Sequence, residues 1–176
     1  MLFRSWMNGN DASNLLRVSF SLMMLGYAEE AVKLYHRAIE LNPFHKDSYH
    51  AYGSNYYLQA GNFEQSIALS KKAPIDSWTD FPAWVAAAYL QIKDYKNVWK
   101  YWDIYVEFYK QSIYEGSNPI QSDAIEWLKE LNPFRSFNYL SPLMDFVRKE
   151  KKIENDDFFD NEGSAKNNSF VLNGEI

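Results

Sequence analysis

Apolar positions along this chain recur mostly at helical spacing, and glycine and proline cut the pattern into segments. A first helix is predicted over about residues 12–25, ended by Gly26, a residue that tolerates left-handed backbone at a helix end. A second runs over about 28–41 and stops at Asn42-Pro43, because the residue before proline is pushed out of the helical region. A third is read over about 46–60, ended by Gly61, and a fourth over about 63–72, stopped near Pro74. A fifth begins near Phe81 or Pro82 and ends near Ile92, and a sixth runs from about Tyr95 to Tyr114. Two more follow, over about 121–131 with Ser122 as the N-cap and over about 137–151, separated by Asn132-Pro133. In the last, Leu140, Leu143, Met144 and Val147 mark one apolar face.

The turns between helices repeat. Gly26-Tyr27-Ala28-Glu29-Glu30-Ala31 aligns with Gly61-Asn62-Phe63-Glu64-Gln65-Ser66 and with Lys93-Asp94-Tyr95-Lys96-Asn97-Val98. Ala31 and Ser66 lie 35 residues apart, and Ser66 and Val98 lie 32 apart. These separations bracket the period of about 34 residues that marks the tetratricopeptide repeat. In the first copy Leu15, Val18, Ser19 and Leu22 are followed by Ala31, Tyr35, Ala38 and Pro43. In the second, Gly53, Ser54 and Tyr57 lead to Ser66 and Ala73. In the third, Val85, Ala86 and Tyr89 lead to Val98, Trp102 and Tyr105. Small side chains at Ser19, Ala31, Ser54, Ser66 and Ala86 let paired helices approach, while large ones at Tyr35, Tyr57 and Trp102 fill the space between pairs. On these positions residues 12–114 resemble the tetratricopeptide repeat family.

The resemblance implies an all-α fold: a short right-handed superhelix of about three helix pairs plus C-terminal capping helices. Residues 1–11 are then an N-terminal segment, 12–114 the repeats, 115–152 the caps and 153–176 an acidic tail expected to be disordered. Val98 and Tyr105 stand where small residues belong, so the regular array is expected to end there under a different element. The first copy has no polar capping helix ahead of it, which calls for a preceding neighbour or a contact with a second copy. Leu131-Asn-Pro-Phe-Arg and the later Met144-Asp-Phe-Val-Arg-Lys-Glu150 are similar to the endings of repeat domains in bacterial signalling regulators, a short match.

Charge and composition narrow the chemistry. Formal net charge is −5, and no Lys/Arg block offers a face for nucleic acid. The chain has no cysteine, which removes disulfides, thiolate metal sites and cysteine nucleophiles and fits a cytoplasmic setting. No apolar run reaches a membrane span. Val18 to Leu25 resembles a signal-peptide core but continues into an amphipathic helix. His36 is read on a solvated face, and His45 and His50 are five apart, a spacing that does not set both on one helix face. The acidic stretch Asp156 to Gly163 lacks the order of a calcium loop. No metal site, cofactor or catalytic residue is assigned, and the chain is expected not to be an enzyme.

Function is expected instead in the concave groove that first helices line in this family. The resemblance places there Leu16, Phe20, Met23 and Met24 from the first copy, Ala51, Asn55, Leu58 and Gln59 from the second, and Asp80, Ala83, Ala87 and Gln91 from the third. The lining is largely apolar, which suits a partner helix or an extended peptide. Relatives that clamp the carboxylate tail of chaperones use basic and amide residues at these positions. Leu16, Phe20, Asp80 and Trp84 stand there instead, so that role is rejected. Two features stay open at this level. The groove is either free or filled by the chain's own C-terminal helix. The aromatic residues Trp84, Trp99, Trp102, Tyr105 and Tyr109 either pack on both sides or anchor a partner. The partner is expected to be a protein or peptide, with a self-associating homodimeric scaffold and an aromatic small-molecule sensor as alternatives.

Overall fold

The computed structural model describes residues 11–113, 121–134 and 138–151. Among these the chain is all-α, with eight helices. They are α1 (Ala12–Met24), α2 (Ala28–Leu41), α3 (Ser48–Gln59), α4 (Phe63–Ser70), α5 (Phe81–Gln91), α6 (Tyr95–Ser112), α7 (Gln121–Leu131) and α8 (Leu140–Lys151). None of the described helices is long and apolar enough to cross a membrane. Boundaries differ from the sequence reading by up to about three residues, as fraying ends do. The N-terminal segment up to residue 10, the acidic tail from 152 onward and the start expected at Phe137 lie outside the described residues, and so does the Ser122 side chain.

The first six helices form three hairpins, α1 on α2, α3 on α4 and α5 on α6. Their turns close in the same way. Tyr27 N–H donates to Leu22 O, Asn62 N–H to Tyr57 O and Asp94 N–H to Tyr89 O, at 2.9, 2.9 and 3.0 Å. Each turn carries one residue with positive φ, Gly26 at 94°, Gly61 at 77° and Lys93 at 60°. This is a backbone arrangement that satisfies the last carbonyls of the first helix while reversing the chain. Side chains then start the next helix: Asn62 Oδ1 accepts from Gln65 N–H at 3.1 Å and Asp94 Oδ1 from Asn97 N–H at 3.2 Å. At the chain's first helix Asp11 Oδ1 accepts from Ser13 and Asn14 N–H at 2.9 and 3.2 Å.

Close approach within and between hairpins follows from small residues. Ser54 Oγ donates to Ser66 O at 3.0 Å across the α3–α4 pair, and both serines are buried. Gly53 leaves room for the Tyr35 ring; a Cβ there would stand 2.8 Å from the Tyr35 hydroxyl. Tyr56 is fully buried and its hydroxyl donates to Leu16 O at 2.7 Å, joining α3 to α1.

Helix α5 is the centre of the core. Every residue from Phe81 to Tyr89 is buried, which explains why its sequence has no polar face. Pro82 sits in its first turn, where its missing N–H costs nothing. Helix α6 covers one side, α3 and α4 a second, and α8 a third. Burial of Leu140, Leu143, Met144 and Val147 matches the apolar face read in the sequence. Phe146 of α8 stacks on Tyr95 and tilts on Trp99, with ring centroids 5.5 and 5.4 Å apart. Lys151 lies over the Trp99 ring and pairs with Asp103 at 3.6 Å. Helix α7 meets α6 through Tyr105, whose hydroxyl donates to Ala124 O, and through Trp127 against Tyr105 and Tyr109.

Candidate binding site

The residues expected to line a groove fall into two groups. Leu16, Met23, Ala51, Asn55, Leu58, Asp80, Ala83 and Ala87 are buried. Phe20, Met24, Gln59 and Gln91 are half-buried. On α1 and α3 the burial comes from their packing on α2, α4, α5 and each other; on α5 the long-range return of the chain adds to it. Helix α8 packs along α5, and the end of α7 reaches the start of α5, so the third pair presents little inner surface. Asn55 is fully enclosed and, among the described residues, neither of its amide atoms has a hydrogen-bond partner; the same holds for Gln59 Nε2. The aromatic residues are also enclosed: Trp84, Trp102, Tyr105 and Tyr109 are buried, and Trp99 is half-buried under α8. That is the arrangement of a helix packed on both sides.

Among the described residues a cavity of about 590 Å³ lies where α1, α3 and α5 converge. Arg17, Phe20 and Ser21 line it from α1, and Tyr52 from α3. Ser77 and Trp78 come from the connection between α4 and α5, Asp80 and Trp84 from the start of α5, and Leu131 and Asn132 from the end of α7. Phe20, Asp80 and Trp84 were expected at a site from the sequence. Tyr52, Trp78, Arg17 and Asn132 were not. A tryptophan in the short connection after Pro74 was the available signal, since large aromatic residues are seldom placed in a linker without a packing partner.

Asp80 anchors this cavity. Its Oδ2 accepts from Trp84 Nε1–H at 2.9 Å and from Asn132 Nδ2–H at 3.1 Å, and Asn132 Nδ2 also donates to Leu128 O at 2.9 Å. Burial pushes the Asp80 carboxyl above its usual range, and the two donors oppose that shift. The Tyr52 ring lies between Phe20 and Trp78, with centroids 6.4 and 5.0 Å away. Trp78 also packs edge-on to Phe81 at 5.2 Å, which fixes it to the core.

The histidines lie elsewhere. His45 sits in the turn ahead of α3, so the chain's reversal brings its ring to 4.9 Å from that of His50, a proximity that helical spacing alone does not give. His50 Nδ1 is 3.3 Å from the Tyr35 hydroxyl, and His36 Nε2 is 2.7 Å from the Tyr57 hydroxyl. Burial, with His45 and Lys72 nearby, lowers the pKa of His50. Burial pushes the Tyr35 hydroxyl up to about 12. Among the described residues no three His, Cys, Asp or Glu side chains group as metal ligands. No family model, curated protein or solved structure matches this chain.

Proposed function

We propose that this chain is a short tetratricopeptide-type array, three helix pairs in a right-handed superhelix closed by a two-helix cap, acting as a non-catalytic module that binds a protein or peptide. The supporting observation is the cavity of about 590 Å³ between three inner helices, walled by the half-buried rings of Phe20, Tyr52 and Trp78. Concave, largely aromatic sites with a few convergent polar groups are where binding is concentrated in such folds. Among the described helices α7 and α8 pack on the α5–α6 pair and leave α1 and α3 free of them, which favours recognition at the α1 and α3 side. A regulatory role within a larger signalling protein goes with the short resemblance at the C-terminal end.

The test is capture on the immobilised chain from extract of its source cell, read by mass spectrometry. Phe20→Glu places a charge in the cavity wall and should abolish capture of the specific partner. Lys33→Glu, an exposed position of α2 that does not line the cavity, should leave it intact. Equal capture by both variants would refute recognition at this face.

Self-association is favoured by one separate observation. Val18, Leu25 and Tyr27 of the first pair are large apolar or aromatic side chains left 45, 43 and 56% exposed. Sedimentation velocity at two concentrations decides it, because a strict monomer removes this reading.

A further inference from the structure

The cavity combines a carboxylate with aromatic walls, and that combination narrows what enters it. Asp80 is only 5% exposed. No ion pair to it is found among the described residues. Its hydrogen-bond partners at Oδ2 are the neutral Trp84 Nε1–H and Asn132 Nδ2–H. These neutral donors oppose the rise that burial causes in the Asp80 pKa without cancelling it, so a cation entering the cavity would favour the ionised carboxylate.

The rings act in the same sense. Phe20 and Tyr52 are perpendicular at 88°, and Tyr52 and Trp78 are inclined at 50°. They therefore do not close face to face on one another. Aromatic faces carry negative quadrupole charge and attract cations within about 6 Å. An apolar side chain would fill the same space without favouring the ionised carboxylate. Arg17, on the wall formed by α1, disfavours a second cation beside it. It is suited to a main-chain carbonyl or an acidic neighbour of the incoming chain, and Asp80 to the cation.

We propose that this cavity receives the cationic end of an arginine or lysine side chain of a partner peptide. Asp80 supplies the counter-charge, the contacting rings of Tyr52 and Trp78 form one aromatic wall beside the cation, and Arg17 engages the peptide main chain. This deepens the reading of the α1 and α3 side as a peptide-recognition face and rests on it.

The experiment is calorimetric titration of the full chain with short acetylated and amidated peptides of alanine and leucine. Their central residue is arginine, citrulline or glutamate. Citrulline keeps the shape of arginine without the charge, so no variant needs to fold for the comparison to be read. The arginine peptide should bind at least about tenfold more tightly than the citrulline peptide, and the glutamate peptide should be weakest. Asp80→Asn should reduce the arginine preference to within about twofold. Trp78→Leu, which touches none of the Asp80 hydrogen bonds, should also weaken the arginine peptide, with circular dichroism unchanged. Equal affinity for arginine and citrulline peptides would overturn the cation assignment while leaving peptide recognition standing. No binding of any peptide at millimolar concentration would overturn both. Guanidinium chloride competing as effectively as the arginine peptide would overturn the peptide as the source of the cation.

Discussion

Asn132 Nδ2 donates to the Asp80 carboxylate at 3.1 Å, joining the end of α7 to the start of α5 across 52 residues of chain. Both side chains are buried, and Trp84 Nε1–H shares the same carboxylate oxygen. The contact holds the cap against the third hairpin at the edge of the cavity. Asn132→Ala removes one donor from a buried carboxylate and should destabilise the fold by about 2 kcal/mol. Urea denaturation of the two proteins measures it. A loss below about 0.5 kcal/mol would show that the contact is incidental.

The hairpins were legible in the sequence because their causes are local. A helix end followed by Gly26 or Gly61, with a polar cap such as Asn62 or Asp94, writes the turn into a few adjacent residues. The apolar face of α8 was legible for the same reason. The cavity was not. Asp80 was assigned to the groove by register alone, and its contact with Asn132, far along the chain, could not be read there. Ala83 and Ala87 suit a peptide groove and a packed core equally well, and only the packing of other helices around α5 separates the two. Trp78 was passed over because its segment has no period.

Gly53 should tolerate no side chain. A Cβ there would run into the ring and hydroxyl of Tyr35, which is held by α2 and by the Tyr56 ring at 6.2 Å. Gly53→Ala should therefore cost about 1–3 kcal/mol despite alanine's better helix propensity. Tyr35→Leu in the same chain should recover part of that loss, a coupling that a double-mutant cycle reads directly. Additive effects would rule out the steric origin.

Stability should fall on mild acidification through His50. Its pKa is lowered from 6.5 chiefly by burial, and next by the charges of His45 and Lys72, with Asp47 opposing. The unfolded chain then takes up the proton at higher pH than the folded one. Folding stability accordingly rises with pH up to the ordinary histidine value and declines as pH drops below it. His50→Gln should flatten this part of the stability profile between about pH 5 and 7, while leaving the loss at lower pH, where carboxylates protonate. Thermal denaturation across that range provides the comparison. An unchanged profile in the variant would assign the slope to other groups.

The three hairpin turns offer an internal control on backbone strain. Gly26, Gly61 and Lys93 occupy the same place in the same hydrogen-bonded turn, yet only Lys93 carries a Cβ at positive φ, 60°. A left-handed conformation costs a residue other than glycine about 1–2 kcal/mol. Glycine avoids that strain but gives up more freedom on folding, about 0.5–1 kcal/mol. Lys93→Gly should thus stabilise the chain by about 0.5–1 kcal/mol, and Gly61→Ala should destabilise it by about 1 kcal/mol. Space is not the cause at Gly61, where an added Cβ meets its nearest neighbour, the Tyr139 hydroxyl, at an ordinary 3.6 Å. Differential scanning calorimetry of the two variants should show shifts of opposite sign. Shifts of the same sign would mean that the turns are not equivalent in energy, despite sharing one hydrogen-bond pattern.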